Sequence, residues 1–340
     1  MSGNAGFRLH NTTMLSVCAV EAPIVVPSSA FDDRLAATYQ RVGMKPGMLA
    51  ERAGVLERRW WPTDVSFADA AAMAGAKALA EAGIIPAQVG VMINTSVSRE
   101  YLEPSTAVAV HHQLGLPTSC LNFDLANACL GFVNAIQLAG NMIDAGQADY
   151  AVLVDAEGSR YTQEVTLGRL EGEDATADDL RSQFATLTLG SGAAAVVLGR
   201  ADRHPEGHRV VGGVSRAGTE HHDLCVGDLN RMRTDTKRLF EAGLALALET
   251  WRDAKAEFDW QGIDWFVAHQ TSVVHIRAMA AALGVDPSRF PLTLPTYGNM
   301  GPAAVPFTLA RHADDLRSQD RILLLGIGSG LNTSYAEIIW

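Results

Sequence analysis

The chain has 340 residues, 48% of them hydrophobic and 19% charged, with a formal net charge of −11. That composition excludes a disordered chain, and 31 Gly against 13 Pro exclude collagen-like or Pro-rich low complexity. The acidic balance argues against general nucleic-acid binding, although a local Arg cluster can still meet an anionic ligand. At about 150 residues per domain the length suggests two units, each able to bury a core without staples.

The N-terminal run to Val26 lacks a basic segment, and Glu21 interrupts its apolar part, so no signal peptide is expected. No uninterrupted apolar stretch is long enough for a membrane span. Ser66–Ala82 is Ala-rich and reads as a helix stopped by Gly83. Val89–Asn94 and Asn122–Leu125 read as short strands, Cys129–Ala145 as a long helix, and Tyr150–Asp155 as a strand. The acidic Asp174–Arg181 looks like an exposed helical or loop insertion. The polar Arg200–Arg209 marks a boundary. Beyond it, Lys237–Phe258, Ser272–Leu283 and Ala303–Ala313 are expected helices, and Trp265–Ala268 and Arg321–Leu325 expected strands. A G-S-G turn followed by a strand occurs in both Leu187–Gly199 and Leu325–Ile339. Alternating helices and strands with a repeated ending predict a layered, duplicated α/β fold.

The four cysteines, Cys18, Cys120, Cys129 and Cys225, have no C-x-x-C spacing. Scattered thiols suit a cytoplasmic protein. His221, His222 and Cys225 are poorly spaced for a metal, so no metal site is expected. Cys129 stands where a strand turns into a long helix. Unpaired N–H groups and the helix dipole there favour a thiolate and a developing oxyanion. Either a nucleophile or a buried structural thiol fits that segment. His269 follows an expected strand at its carboxyl end, where ligands gather in open α/β sheets. Asn299 lies in a Gly/Pro-rich loop, as a turn residue or a functional one. Arg231, Arg233, Lys237 and Arg238 form the densest basic cluster, either an entrance for an anionic ligand or a solvated helix start.

The segments A-C-L-G-F (Ala128–Phe132), V-A-H-Q (Val267–Gln270), Y-G-N (Tyr297–Asn299) and G-I-G-S-G (Gly326–Gly330) occur in order. Together they resemble the ketosynthase III branch of the thiolase superfamily over essentially the whole chain. Ile93–Ala107 and the M-G-P-A-A stretch at Met300–Ala304 sharpen this to OleA-type condensing enzymes. The resemblance implies a thiolase-like five-layer αβαβα sandwich built from two similar halves, 1–200 and 201–340. It implies a non-decarboxylative Claisen condensation of two acyl-CoA molecules through acyl-Cys129, with acyl-CoA as substrate and no cofactor. His269 and Asn299 would hydrogen-bond the second thioester, and the N–H groups of Cys129 and Gly330 would hold the oxyanion. Glu103 would act as base in the partner subunit of a homodimer, or else be a surface residue. The β-ketoacyl product, released as the β-keto acid, would pass to downstream pathway enzymes. A decarboxylating ketosynthase III using a malonyl extender, an acyltransferase acting on a small acceptor, and a silent subunit of a heterodimer are the competing readings.

Overall fold

The computed structural model describes residues 6–228 and 230–340. Its main sheet contains β1 (Gly6–Arg8), β2 (Thr12–Glu21), β3 (Val91–Asn94), β4 (Leu121–Asp124) and β5 (Tyr150–Glu157). It continues with β6 (Gly192–Arg200), β7 (His208–Ala217), β8 (Trp265–Ala268), β9 (Arg321–Gly328) and β10 (Asn332–Ile339). The order is β8-β9-β10-β7-β2-β6-β5-β3-β4, with β1 pairing on β7. From the middle outward, β2-β6-β5-β3 pairs antiparallel, antiparallel, parallel. The run β7-β10-β9-β8 repeats that pattern. The two runs are joined by a short β2–β7 contact at Thr13 and Met14. Arg200, where the first half was expected to end, closes β6, and β7 opens at His208.

The helices complete the layers. α1 (Phe67–Ala82) and α2 (Thr106–Gln113) cover one outer face, and α4 (Thr236–Phe258) and α5 (Val273–Leu283) the other. α3 (Gly131–Asp144) and α6 (Ala304–Arg311) lie between the two runs, each touching strands of both. This is the five-layer sandwich. Local sequence explains its parts. Ser66 and Asp69 form a capping box that starts α1, and Gly83 ends it in the left-handed region. The Ala and Gly face of α1 lets it lie close on the sheet: a Cβ at Gly75 would meet Leu114 and Val154 at 3.0 and 3.2 Å. β5 is buried along its whole length, so it reads as an apolar run without alternation. No helix among the described residues is long and apolar enough to cross a membrane.

One local expectation is corrected. Helix α3 begins at Gly131, capped by Leu130, so Cys129 stands on the turn before it. The acidic 174–181 stretch is exposed or half-buried except at Leu180 and runs into the helix Ala177–Thr188, started by a Thr176–Asp179 capping box and held by buried Leu180 and Leu187.

Candidate active site

The turn that carries Cys129 is strained and tightly held. Ala128 has φ +44°, a left-handed conformation that a side chain other than Gly rarely adopts. Asn127 fixes the turn to α3 through a 2.7 Å bond from its Nδ2 to Asn134 Oδ1. Gly131 opens the helix because no side chain fits there: a Cβ would lie 3.1 Å from Leu125 O and 3.2 Å from Thr95 O.

His269 follows β8, and its N–H continues the ladder to Leu325 O at 2.8 Å. Gln270 locks the loop beyond. It donates to Pro291 O and Thr308 Oγ1 and accepts from the N–H groups of Thr293 and Leu294. That loop leads to Asn299. His269 and Asn299 share one backbone support, Gly301. Its carbonyl, which can only accept, lies 3.1 Å from His269 Nδ1, so Nδ1 carries the proton and neutral Nε2 keeps its lone pair. The Gly301 N–H donates to Asn299 Oδ1 at 3.0 Å, leaving the Nδ2 hydrogens of Asn299 as donors. Burial lowers His269 to about 4, with His275 acting in the same direction, so the imidazole is neutral near pH 7.

The two G-S-G turns explain how these groups meet. Gly190, in the first turn, donates to Asn299 O at 2.9 Å, and a Cβ there would fall 1.7 Å from Tyr297 O. Gly328, in the second, lies behind the nucleophile: a Cβ would be 3.2 Å from Cys129 N. Each half's turn thus supports a site residue of the other half.

Cys129, His269 and Asn299 line one cavity of about 1360 Å³. Its wall is largely apolar, including Phe184, Leu239, Phe240 and Ile327. Sequence reasoning missed several of its members. The Ala177–Thr188 helix supplies Arg181, Phe184 and Ala185. His275 lines it, with Nδ1 paired to Thr271 Oγ1 at 2.8 Å and Nε2 buried without a partner. Cys225, which the sequence marked as poorly spaced for a metal, also lines it. Glu157, at the end of β5, is 7% exposed and faces in. These residues come from helices and strand ends far apart in the chain, and no local motif marks them.

The thiol corrects another expectation. Cys129 opens onto the cavity but is otherwise enclosed by protein. Burial pushes it well above the ordinary thiol range, and Cys225, Glu157 and Asp155 push the same way. Desolvation and nearby carboxyl groups thus act against the dipole of a helix that starts two residues later.

The remaining expected residues are dispersed. Glu103 is exposed and does not line the cavity of its own chain, although Glu100, Tyr101 and Leu102 beside it do. Gly330, at φ +122°, is not part of the lining, whereas Gly328, Ser329 and Leu331 are. Lys237 reaches the cavity together with Arg52, Arg99 and Arg181. Arg231 and Arg233 border an adjoining depression that shares Gly227 and Asp228 with the cavity, and Arg238 lines neither. Among the described residues no three His, Cys, Asp or Glu side chains are grouped to hold a metal.

Comparison with known proteins agrees with this architecture. Residues 50–199 match the family model for the thiolase N-terminal domain. Residues 254–340 match that for the C-terminal part of 3-oxoacyl-[acyl-carrier-protein] synthase III. The chain is 43% identical to the acyl-CoA:acyl-CoA alkyltransferase of Xanthomonas campestris, covering 97% of this chain and 99% of that one. It is 35% identical to the enzyme of that name from Shewanella oneidensis, covering 94% and 96%. The crystal structure of cerulenin-bound Xanthomonas campestris OleA superposes with a TM-score of 0.96 at 43% identity, covering 98% of both chains. The chain therefore belongs to the OleA family of thiolase-superfamily acyltransferases.

Proposed function

We propose that the protein joins two fatty acyl-CoA molecules by a non-decarboxylative Claisen condensation. The observation that carries this reading is the meeting of Cys129, His269 and Asn299 in one mainly apolar cavity of about 1360 Å³. That volume exceeds the usual ~300–1000 Å³ of a small-molecule site and suits long acyl chains. As the Cys129 sulfur attacks the first thioester, its proton passes to the free Nε2 of His269. The C–S bond of the substrate breaks, and the departing CoA thiolate recovers that proton. The N–H group of Cys129 holds the oxyanion, joined, on the family resemblance rather than the cavity lining, by that of Gly330.

The second acyl-CoA keeps no CO2 to lose, so its α-proton must go to a base. Glu103 of the opposite subunit of a homodimer is that base. The exposure of Glu103 beside Tyr101 and Leu102, 70% and 94% exposed, supports a role across an interface rather than within one chain. Asn299 Nδ2 donates to the enolate oxygen. His269, fixed by Gly301 with its proton on Nδ1, is an acceptor and not a donor at this step. The enolate carbon attacks the acyl-Cys129 carbonyl, and the Cys129–acyl bond breaks to give the β-ketoacyl-CoA. Water then releases the β-keto acid and CoA. The reaction as written uses no cofactor.

Lys237, with Arg52 and Arg181 at the cavity, meets the CoA phosphates; Arg231, Arg233 and Arg238 extend the basic surface farther out. The segments 1–200 and 201–340 are the two halves of a duplicated fold. Four free thiols fit a cytoplasmic setting.

One saturated acyl-CoA, supplied without a malonyl donor, tests the reading. The expected product has the mass of a β-keto acid from two acyl groups. Cys129→Ser should form no stable acyl-enzyme thioester by intact mass, whereas Glu103→Ala should acylate and lose condensation by at least about a hundredfold. Product formed only when a malonyl thioester is added would overturn the reading in favour of a decarboxylating synthase.

A further inference from the structure

Glu157 has no part in the condensation as written, yet it is held between the two parts that must cooperate. On one side its methylene and carboxyl atoms pack on Gly301, the support of His269 and Asn299: a Cβ added there would lie 3.5 Å from Glu157 Cδ. On the other side it grips the start of the loop that carries Glu103. Its Oε1 accepts from Val97 N at 2.6 Å, and its Oε2 from Ser98 N at 3.1 Å and Ser98 Oγ at 2.6 Å. The far end of that loop is tied separately, by Thr106 and Ala107 N–H bonds to Asp124. Between the two anchors only Glu100 is pinned, by Phe67 N, and Tyr101–Pro104 are exposed.

We infer that Glu157 is a positioning residue for condensation, setting the course of the Val97–Glu103 segment so that Glu103 points into the opposite subunit. The inference rests on Glu103 being the base in trans. Glu157 is not itself the base, because three donors already occupy its two oxygens. The groups that face it fit an anchoring role. Burial raises Glu157 to about 7, against the pull of its Ser98 and Val97 donors and of Arg99 on the loop, which favour its charge; the Cys129 thiol lies on the cavity side, and Asp155, buried on the same strand, accepts from Thr95 Oγ1. Asp155, with one oxygen unpartnered and burial raising its pKa, takes the proton of the pair, and the three donors leave the charge on Glu157.

Glu157→Gln tests this with little change of shape. Gln keeps the contact with Gly301 but offers one acceptor oxygen to three donors and turns an NH2 toward a backbone N–H. Acylation of Cys129, read by intact mass, should not fall, since losing this carboxylate removes one of the groups that raise the thiol, while condensation falls by about tenfold or more, as for a lost charge-assisted hydrogen bond. Amide exchange in a peptide spanning 95–105 should quicken, with the rest of the chain unchanged. Ser98→Ala, which removes one donor and leaves the buried carboxylate in place, should act in the same direction more weakly. It carries the test if Glu157→Gln does not fold. Wild-type condensation in a folded variant, acylation falling in step with condensation, or unchanged exchange at 95–105 would each overturn the inference. Glu103→Ala is the control. If it condenses normally, the base assignment falls and this inference with it; if it acylates without condensing, only the role of Glu157 is in question.

Discussion

Cys129 shows what a single residue's neighbourhood adds to its sequence context. A strand, a turn and an apolar helix predict an electropositive place for a thiolate. Asp155, Glu157 and Cys225 reach the same place from other strands, and burial acts with them to hold the proton on sulfur. In the proposed mechanism activation is thus left to the moment of attack, through His269 Nε2. Carboxymethylation by iodoacetamide, followed at the Cys129 peptide, should be slow at pH 7. Because only the thiolate reacts, the rate should climb about tenfold per pH unit and still be rising at pH 9.5, where a free thiol near 8.5 has levelled off. A plateau with a midpoint below 8 would show that the helix tip prevails after all. His269 and Asn299 were legible as residues, one at a strand end and one in a Gly/Pro loop. Their roles were not, because the division between acceptor and donor depends on Gly301, whose carbonyl and N–H are sequence-silent.

At the scale of the element, the repeated G-S-G turn was visible as a sign of duplication, but its purpose needs both halves folded together. Gly190 and Gly328 are glycines because backbone from the opposite half passes where a Cβ would be. Gly328→Ala would set a methyl group 3.1 Å from Asn127 O and 3.2 Å from both Ala128 Cβ and Cys129 N. The nucleophile turn, already strained at Ala128, must then give way. We expect acylation to fall about tenfold or more, with a stability loss of ~1–3 kcal/mol by denaturant titration. Gly168→Ala is the contrast, since it lies in the helix Arg160–Leu170 with open space around its Cβ. It should gain about 0.5–1 kcal/mol and acylate normally. Equal acylation rates in the two variants would remove the support role from Gly328. That the helix Ala177–Thr188 walls the cavity is hidden from local sequence for a related reason. Its charged start dominates the local composition, while the apolar residues that form the cavity wall appear only in its second half.

The whole molecule leaves one edge of its sheet unfinished. β4 is the last strand on its side, Leu121 on it is 51% exposed, and its Asp124 holds the end of the loop that displays Tyr101, Leu102 and Glu103. An open strand edge beside exposed apolar side chains is a ready surface for a second copy, and a twofold pair would bring each loop to the other subunit. The chain alone holds Cys129 and His269 in one cavity but turns Glu103 outward, so the proposed division of labour between subunits has a sharp genetic consequence. Cys129→Ala and Glu103→Ala, each expressed alone, should give dimers that do not condense. Co-expressed with different tags and purified through both, the mixed dimer carries one complete site: the Cys129 of the Glu103→Ala chain, served by the Glu103 of its partner. With one working site of two, its rate per dimer should be about half that of the unaltered protein. An inactive mixed dimer would mean that Glu103 serves its own chain, and the outward loop would then have to fold back over the cavity it now borders.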